Sequence, residues 1–362
     1  MGRILDGSGG DVRPGVPIPD ASAKGSRRDP VSRIDAVRAS THETAPDFGR
    51  LEDHRAELTA YCYRMLGSPF DAEDAVQDTF IRAWRSRNQF EGRASMLSWL
   101  YRIATNVCLD MLRGKERRAR PMDIGPANKP VEANLNIPLE PRWVEPIPDS
   151  LISPEGDPAE VTVARESVRL ALIAALQRLP ARQRAALILR DVLRWEASEV
   201  AELLDASVAS VNSALQRARA TLARSNLSST DPSPPLSDGD RALLERYVVA
   251  FQRYDFDGLT SLIREDATQS MPPYDMWLQG RDDIFAWWLG PGIGCRGSRV
   301  IPSVGANGSP AFGQYKPNPT GGYEPWALQV LEISDGGIAD LTFFLDTARL
   351  FPLFGLPARL DS

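Results

Sequence analysis

Nine prolines stand between positions 121 and 158: Pro121, Pro126, Pro130, Pro138, Pro141, Pro146, Pro148, Pro154 and Pro158. Each removes a backbone donor and clashes with the turn before it, so no regular helix of any length crosses this stretch. The chain is therefore cut into blocks joined by an extended acidic linker, residues 119–158, and a connection of about 40 residues is functional or disordered. Its carboxylates are Asp123, Glu132, Glu140, Glu145, Asp149, Glu155 and Asp157. Trp143, inside WVEPIPD, is expected to anchor it.

The block before the linker reads as three helices. In the first, Leu51, Leu58, Tyr61, Cys62, Met65 and Leu66 share one face, and Gly67-Ser68-Pro69 stops it. The second carries Ala72, Ala75, Val76, Thr79, Phe80, Ala83 and Trp84 at the spacing of a buried stripe. Asp71, Glu73 and Asp74 favour the positive end of its dipole. The third, about Ser95 to Arg113, puts Leu97, Leu100, Ile103 or Ala104, Val107 and Met111 inside. On its other side Arg102, Asn106, Asp110, Arg113 and Arg117 line one face if the helix continues, beside Trp99 and Tyr101, whose rings suit stacking on unpaired bases.

Charge supports a nucleic-acid role for that face. Between Ile81 and Arg118 nine basic residues stand against three acidic ones, a net of +6 in a chain of net −6. A local basic strip neutralises phosphates and releases counterions whatever the rest of the chain carries. A solvated helix face is the bland alternative, and the positive excess and neighbouring rings argue against it.

Beyond the linker, helical patterning returns over 159–223: VARESVRLALIAALQRL, then ARQRAALILRDVL, then a close pair. Glu196–Leu204 buries Val200, Ala201 and Leu204. After Asp205-Ala206-Ser207, the helix Val208–Arg224 turns Val208, Val211, Leu215, Ala218 and Leu222 inward and Ser210, Ser213, Gln216, Arg217, Ala220 and Arg224 outward. Two short helices across a three-residue turn, the second without an acid, form a helix-turn-helix pattern, though an ordinary helical hairpin shares part of it. A second linker, NLSSTDPSPPLSD, follows. The last block opens with a helix, Asp240–Tyr254, with Leu244, Tyr247, Val248 and Phe251 inward. ALQVLEIS and IADLTFFLD flank Asp335-Gly336-Gly337 as a β-hairpin, so the block is α+β.

Composition narrows the function. At 362 residues, 43% hydrophobic and 25% charged, the chain has room for two or three domains. No apolar run approaches the ~20 residues of a membrane helix, and the N-terminus lacks a secretory core, so the expected location is cytoplasmic. Cys62, Cys108 and Cys295 have no metal-ligand spacing and read as core thiols. The two histidines, His42 and His54, lie in the first half, which excludes a histidine triad or histidine metal site in the last block. No cofactor, metal or catalytic residue is expected.

These motifs resemble the extracytoplasmic-function (ECF) group of the sigma-70 family of RNA polymerase sigma factors. DAEDAVQDTFIRAW is similar to their region 2 helix that docks on polymerase, SWLYRIATNVCLDMLRGKERR to regions 2.3–2.4, and EVAELLDASVASVNSALQRARATLAR to the region 4 helix-turn-helix. The match covers about residues 50–225 in the family's order. Residues 240–350 resemble the SnoaL-like, or nuclear transport factor 2-like, fold, and the combination resembles the SigG/SigJ-type members that carry this domain behind region 4.

The resemblance implies a mainly α chain: a region 2 bundle over 49–118, the linker 119–158, a region 4 domain over 159–226, a linker 227–239 and an α+β cone over 240–350. Residues 1–48 are expected to be a disordered extension and 351–362 a tail. It implies that Asp74, Gln77, Asp78, Phe80 and Arg82 bind the β′ clamp helices of core polymerase, with the β flap as a further contact of the chain. Trp99, Arg102, Asn106, Asp110, Arg113 and Lys115 would engage the −10 element, and Ser210, Asn212, Ser213, Gln216, Arg217 and Arg219 the −35 major groove. The acidic linker would thread toward the active-site and RNA-exit channels. Trp277, Leu278 and Gly280 in WLQG, with Asp335, Gly336 and Gly337, resemble motifs of the fused regulatory domains. One departure stands out: the commoner recognition helix is basic where this chain has Asn212 and Ala214, and has Gly at Asp205, which implies a weaker −35 grip.

Two other readings compete. One is a ligand-sensing helix-turn-helix regulator that binds operators without polymerase. The other is a SnoaL-like enzyme tethered to DNA-binding helices, with Asp275, Glu324, Glu332, Asp346, Tyr274 and Tyr323 as candidate acids and bases. Their spacing shows no convergence, and surface carboxylates are the simpler account.

Overall fold

The structure, a computed structural model, describes residues 48–90, 92, 94–131, 135–137, 143–152, 167–224 and 236–361. The expected disordered extension (except its last residue), residues 163–166 of the expected VARESVRLALIAALQRL helix and most of the second linker lie outside the described residues; that helix begins only at Leu170, after a turn at residues 167–169.

Helix α1, Arg55–Leu66, ends at Gly67, whose φ of 72° permits a left-handed cap with its N–H on the Tyr63 carbonyl, 2.7 Å away. Every residue from Leu58 to Leu66 is buried, Arg64 included, where the apolar pattern predicts a single inward face. The reason is tertiary: α2 (Pro69–Arg85) and α3 (Met96–Met111) pack on one side of α1, and α4 (Leu170–Gln177) and α5 (Ala181–Leu187) on another. Ser68 caps α2 and Ser95 caps α3 through their hydroxyls.

Within α2 the stripe Ala72, Ala75, Val76, Thr79 and Ala83 is buried, but Phe80 is half-exposed and Trp84 is 53% exposed. At 17 residues α2 outruns the 12 of α1, so its last turn has less to pack on. Two further expectations for α3 are corrected. The helix ends at Met111 and Gly114 turns the chain at φ 72°, so Arg117 does not continue its face. Tyr101 is buried edge-on against Tyr61 and Trp195, at 5.1 and 5.6 Å, and is not available for stacking on bases.

α5 runs into a π-turn, Ile188–Val192, before the pair α6 (Ala197–Leu203) and α7 (Val208–Arg224). Asp205 adopts φ 48° in the turn between them, a conformation that Asp tolerates better than most residues and that explains why glycine is common there. Val211, Leu215 and Ala218 face inward as expected, whereas Val208, on the first turn of α7, is 43% exposed.

The C-terminal domain packs α8 (Asp238–Arg253), α9 (Phe256–Thr260) and α10 (Arg281–Leu289) on one face of a six-stranded sheet of order β2-β1-β6-β5-β4-β3. Its strands are β1 Ile263–Ser270, β2 Trp277–Gln279, β3 Arg299–Pro302, β4 Ala311–Pro317, β5 Tyr323–Ser334 and β6 Gly337–Phe344. β1 and β6 are parallel and the other neighbours antiparallel. The hairpin expected between β5 and β6 forms with Ser334 opposite Gly337; Asp335 (φ 52°) and Gly336 (φ 73°) supply the two positive φ values of a type I′ turn. This is the α+β cone anticipated for a SnoaL-like domain.

Strand alternation sends Phe312, Leu331, Leu341 and Phe343 toward the helices, with Tyr247, Phe251 and Trp288. It sends Ala311, Tyr315, Leu328, Val330 and Phe344 to the opposite face. That second face belongs to one continuous core with α1–α7 and with Val144, Ile147 and Ile152 of the linker. The residues after Leu350, expected as a tail, are part of it: Phe351, Phe354 and Leu356 are buried from or just past α11 (Thr347–Leu353), and Leu360 pairs with Tyr323. No described helix is long and apolar enough to cross a membrane.

Candidate nucleic-acid interface

On α2 the expected polymerase-facing residues are at the surface. Asp74 and Gln77 are exposed, Asp78 pairs with Arg82 at 2.8 Å, and Arg82 also reaches Asp110 of α3 at 3.4 Å. Phe80 lies beneath the Arg55 guanidinium, 5.2 Å from its ring centre. Sequence reasoning missed their neighbours: Ile81 (48% exposed) and Trp84 border a groove of about 380 Å³ completed by Gly49, Leu51, Glu52, Phe80 and Arg85. The clue was present, because Ile81 lies off the Ala72–Ala83 stripe.

The α3 face presents Arg102, Asn106 and Asp110 one turn apart and exposed, with Trp99 partly buried beside Phe90 at 5.1 Å. Its cations are already paired. Arg102 donates to Glu202 on α6 at 2.8 Å, Arg113 lies 3.4 Å from Asp110, and Lys115, past the helix end, lies 4.0 Å from Asp71. All three contacts are well exposed on at least one side and worth at most about 1 kcal/mol each, so phosphate can displace the acids.

On α7, Ser210, Asn212, Ser213, Gln216, Arg217 and Arg219 are all exposed, and Ser207 caps the helix by accepting from Ser210 N–H. Arg219 is distinct: it makes a two-pronged contact with Asp191, at 2.9 and 2.6 Å, which draws it toward the π-turn of its own domain. The pairing with Asp191 holds the Arg219 guanidinium above its ordinary value.

Inside the last domain a chain of neutral groups fills the cone. Tyr247 Oη donates to Gln329, Gln329 Nε2 to Gln314 and Gln314 Nε2 to Ser298, each at 3.0 Å, while the Trp288 indole donates to Gln269 at 2.7 Å. The six acid and phenol candidates sit apart from this chain: Glu324 accepts from Asn318, Glu332 lies 3.5 Å from Arg169, Asp346 lies 3.6 Å from Arg349, and Tyr323 lies under Arg299. Tyr274 is half-buried, its backbone N–H held by the Met271 carbonyl, and Asp275 is taken up by the linker through Asn136.

That linker is the feature least visible in the sequence. It is a strap laced to the last domain. Trp277 of the WLQG motif donates its indole N–H to the Gly125 carbonyl (2.9 Å), its carbonyl accepts from Asn128 N–H (2.8 Å) and its backbone N–H donates to Asn128 Oδ1 (3.1 Å), while Leu278 is buried and Gly280 (φ 94°) starts α10. Trp143, the expected anchor, is 6% exposed and donates to the Pro273 carbonyl at 2.8 Å. Arg120 and Asp123 join Arg178, Arg169, Glu332 and Asp340 in a charge cluster where strap, α4 and sheet meet. Burial, reinforced by Glu332, pushes the Asp340 carboxyl up to about 6, despite hydrogen bonds from Thr268 and Thr342.

The helices before and after the strap also lock together. Arg184, buried on α5, donates to the Met65 carbonyl at the end of α1 and to Gln177 and Leu179, and burial lowers its guanidinium to about 10. Gln177 caps Arg64 O, and Arg64 in turn donates to Ser167.

Comparison with known proteins matches this anatomy. A model of sigma-70 region 2 fits residues 51–118, and one of sigma-70 region 4 fits residues 169–222. The chain belongs to the ECF group of RNA polymerase sigma factors. It is 43% identical over 327 residues to the ECF RNA polymerase sigma factor SigG of Mycobacterium tuberculosis, spanning 89% of this chain and 87% of that one. It is 30% identical over 223 residues to SigJ of the same organism, covering 61% of this chain and 64% of SigJ. The crystal structure of M. tuberculosis SigJ superposes on 91% of this chain and 99% of its own with a TM-score of 0.54 at 22% identity, so the three-part fold is shared.

Proposed function

We propose that this chain binds core RNA polymerase through α2, reads the −10 element through α3 and the −35 element through α7, and starts transcription under the control of its C-terminal domain. The observation that carries this reading is that the residues expected to meet polymerase and promoter lie at the surface of two helical domains in the family's order, none of them buried and all but Asp78, Phe80 and Trp99 fully exposed. Asp74, Gln77, Asp78, Phe80 and Arg82, with Ile81 and Trp84 added, form the docking surface. Trp99, Arg102, Asn106, Asp110, Arg113 and Lys115 serve the −10 element, and Asn212, Ser213, Gln216 and Arg217 with Ser210 the −35 groove. Arg219 positions α7 through Asp191 and contributes phosphate contact when that pair opens. We take the protein to act in the cytoplasm, where polymerase works.

The control role follows from the strap. The segment joining the two readers is held by Trp277, Pro273 and Asn136–Asp275, so the last domain governs how far the readers separate. The glutamine chain in the cone supports a mechanical rather than catalytic role, because its members bond to one another and its one phenol, Tyr247, donates to Gln329 and is held well above its ordinary value by burial. Transcription in vitro with purified core polymerase, comparing the full chain with residues 1–230, tests the proposal. Discrete start sites that need the protein, changed in strength by removal of the last domain, are expected. No core binding and no RNA from either form would refute it.

A further inference from the structure

The loop between β3 and β4 is where the last domain meets every other part of the molecule. Asn307, at φ 55°, is completely buried there. Its Nδ2 donates to Tyr63 Oη on α1, 2.7 Å away, and to the Val168 carbonyl at the head of region 4. Its Oδ1 accepts from Ile147 N–H of the strap at 2.9 Å, and its own N–H donates back to the Ile147 carbonyl at 3.1 Å. Tyr63 Oη passes the chain on to the Glu145 carbonyl at 2.8 Å. Either side of it, Asp149 N–H donates to Gly305 O, and Gly308 N–H to the Asp149 carboxylate. A Cβ at Gly305 would stand 2.5 Å from Asp149 Oδ2, so loop and strap meet without slack.

This form of the molecule cannot serve a promoter. Elements at −10 and −35 lie roughly 25 base pairs apart, about 85 Å of duplex at 3.4 Å per pair. Here Arg102 of the first reader touches Glu202 of the second domain at 2.8 Å, and both domains share one core. The readers must part before both elements can be held.

We infer that the Gly305–Ser309 loop is a latch that holds the closed form, with Asn307 as its key side chain, and that initiation requires the loop to leave its socket. An amide hub suits a reversible latch. Shut, it satisfies groups from region 2, the strap and region 4 at once and fixes their register. Open, water takes over each of those groups, so the loop adds less to the cost of release than an apolar contact of the same size would, on top of the shared core that must also part. Replacing Asn307 by Ala strands Ile147 N–H and the Val168 carbonyl only in the closed form, which shifts the balance toward the open one. The latch stands on geometry; its consequence for initiation rests on the sigma reading above.

The test uses the full-length chain with Cys295→Ser and spin labels at Arg113→Cys and Ala220→Cys, both exposed, while Cys62 and Cys108 are buried. Pulsed distance measurement is expected to give one short distance in the parent. Asn307→Ala should raise the long-distance population about tenfold. Gly305→Val should do the same by pushing Asp149 away, which provides a second route if the first variant loses its fold by circular dichroism. Folded variants that both keep the parent's distances would overturn the latch. Unlabelled variants are then given core polymerase: wider distances without RNA would keep the latch and remove the sigma reading, whereas RNA synthesis with unchanged distances would do the reverse.

Discussion

Trp143 offers the sharpest quantitative test of how the strap is held. The side chain is 6% exposed, and its indole N–H donates to the Pro273 carbonyl of the last domain. Truncating a buried Trp to Ala costs about 3–5 kcal/mol, of which one hydrogen bond accounts for about 1. Trp143→Phe, which keeps most of the ring and loses the donor, should therefore cost about 1–2 kcal/mol. The loss should be local. The amides of Asn128, Val144, Glu145 and Asp149 are pinned to the carbonyls of Trp277, Ala119, Gly67 and Gly305, at 2.8–3.0 Å. Hydrogen exchange at these four positions should accelerate about a hundredfold or more in Trp143→Ala and about tenfold in Trp143→Phe, since each 1.4 kcal/mol is one decade in the opening equilibrium. Val330, in the middle of β5, should keep its protection. Unchanged exchange at Val144, or equal acceleration at Val330, would refute the view that Trp143 secures the strap rather than the whole fold.

Three other outcomes follow from the geometry. The raised Asp340 carboxyl means the folded chain holds a proton that the unfolded chain has already lost between pH 3.8 and about 6. Its contribution to stability is full below pH 4 and is lost as pH rises through 6, roughly 3 kcal/mol in all; Asp340→Asn should flatten that slope in urea titrations, and a parent already flat over the range would contradict it. Asp191→Asn should free Arg219 for phosphate and steepen the salt dependence of promoter affinity by about 0.9 in log–log slope; an unchanged slope would leave Arg219 as a purely structural residue. Glu202→Gln removes an exposed partner of Arg102, so thermal stability should move by less than about 0.5 kcal/mol, and a larger drop would show that the pair carries the interface between regions 2 and 4.

Much of this molecule is legible locally because its signals act over a few residues. Ser68 and Ser95 mark helix starts, Gly67 a helix end, and Asp335-Gly336 a type I′ turn, each through backbone angles and hydrogen bonds settled within four positions. The three helical motifs and their order identify the family for the same reason. Periodicity, however, states that a face is apolar and not what will cover it. It predicted one buried face for α1, which is buried all round, and it placed Trp84 and Val208 inside when α2 overhangs its neighbour and α7 begins at a surface turn.

The proline pattern is enough to keep a long regular helix out of residues 119–158, because proline breaks the helix whatever surrounds it, and the described part of the segment holds only the short turns Pro121–Asp123 and Asp149–Leu151. Where that strap lies was decided only by tertiary structure, through contacts such as Trp277 to Gly125 and Trp143 to Pro273, which join residues 152 and 130 positions apart. Asn307 is the extreme case: nothing in VGANGS distinguishes it from any turn asparagine, and its partner Tyr63 is 244 positions away. An amide becomes a latch only when folding removes water from around it and leaves three other segments to satisfy its hydrogen bonds, a condition set by the assembled fold rather than by neighbouring residues.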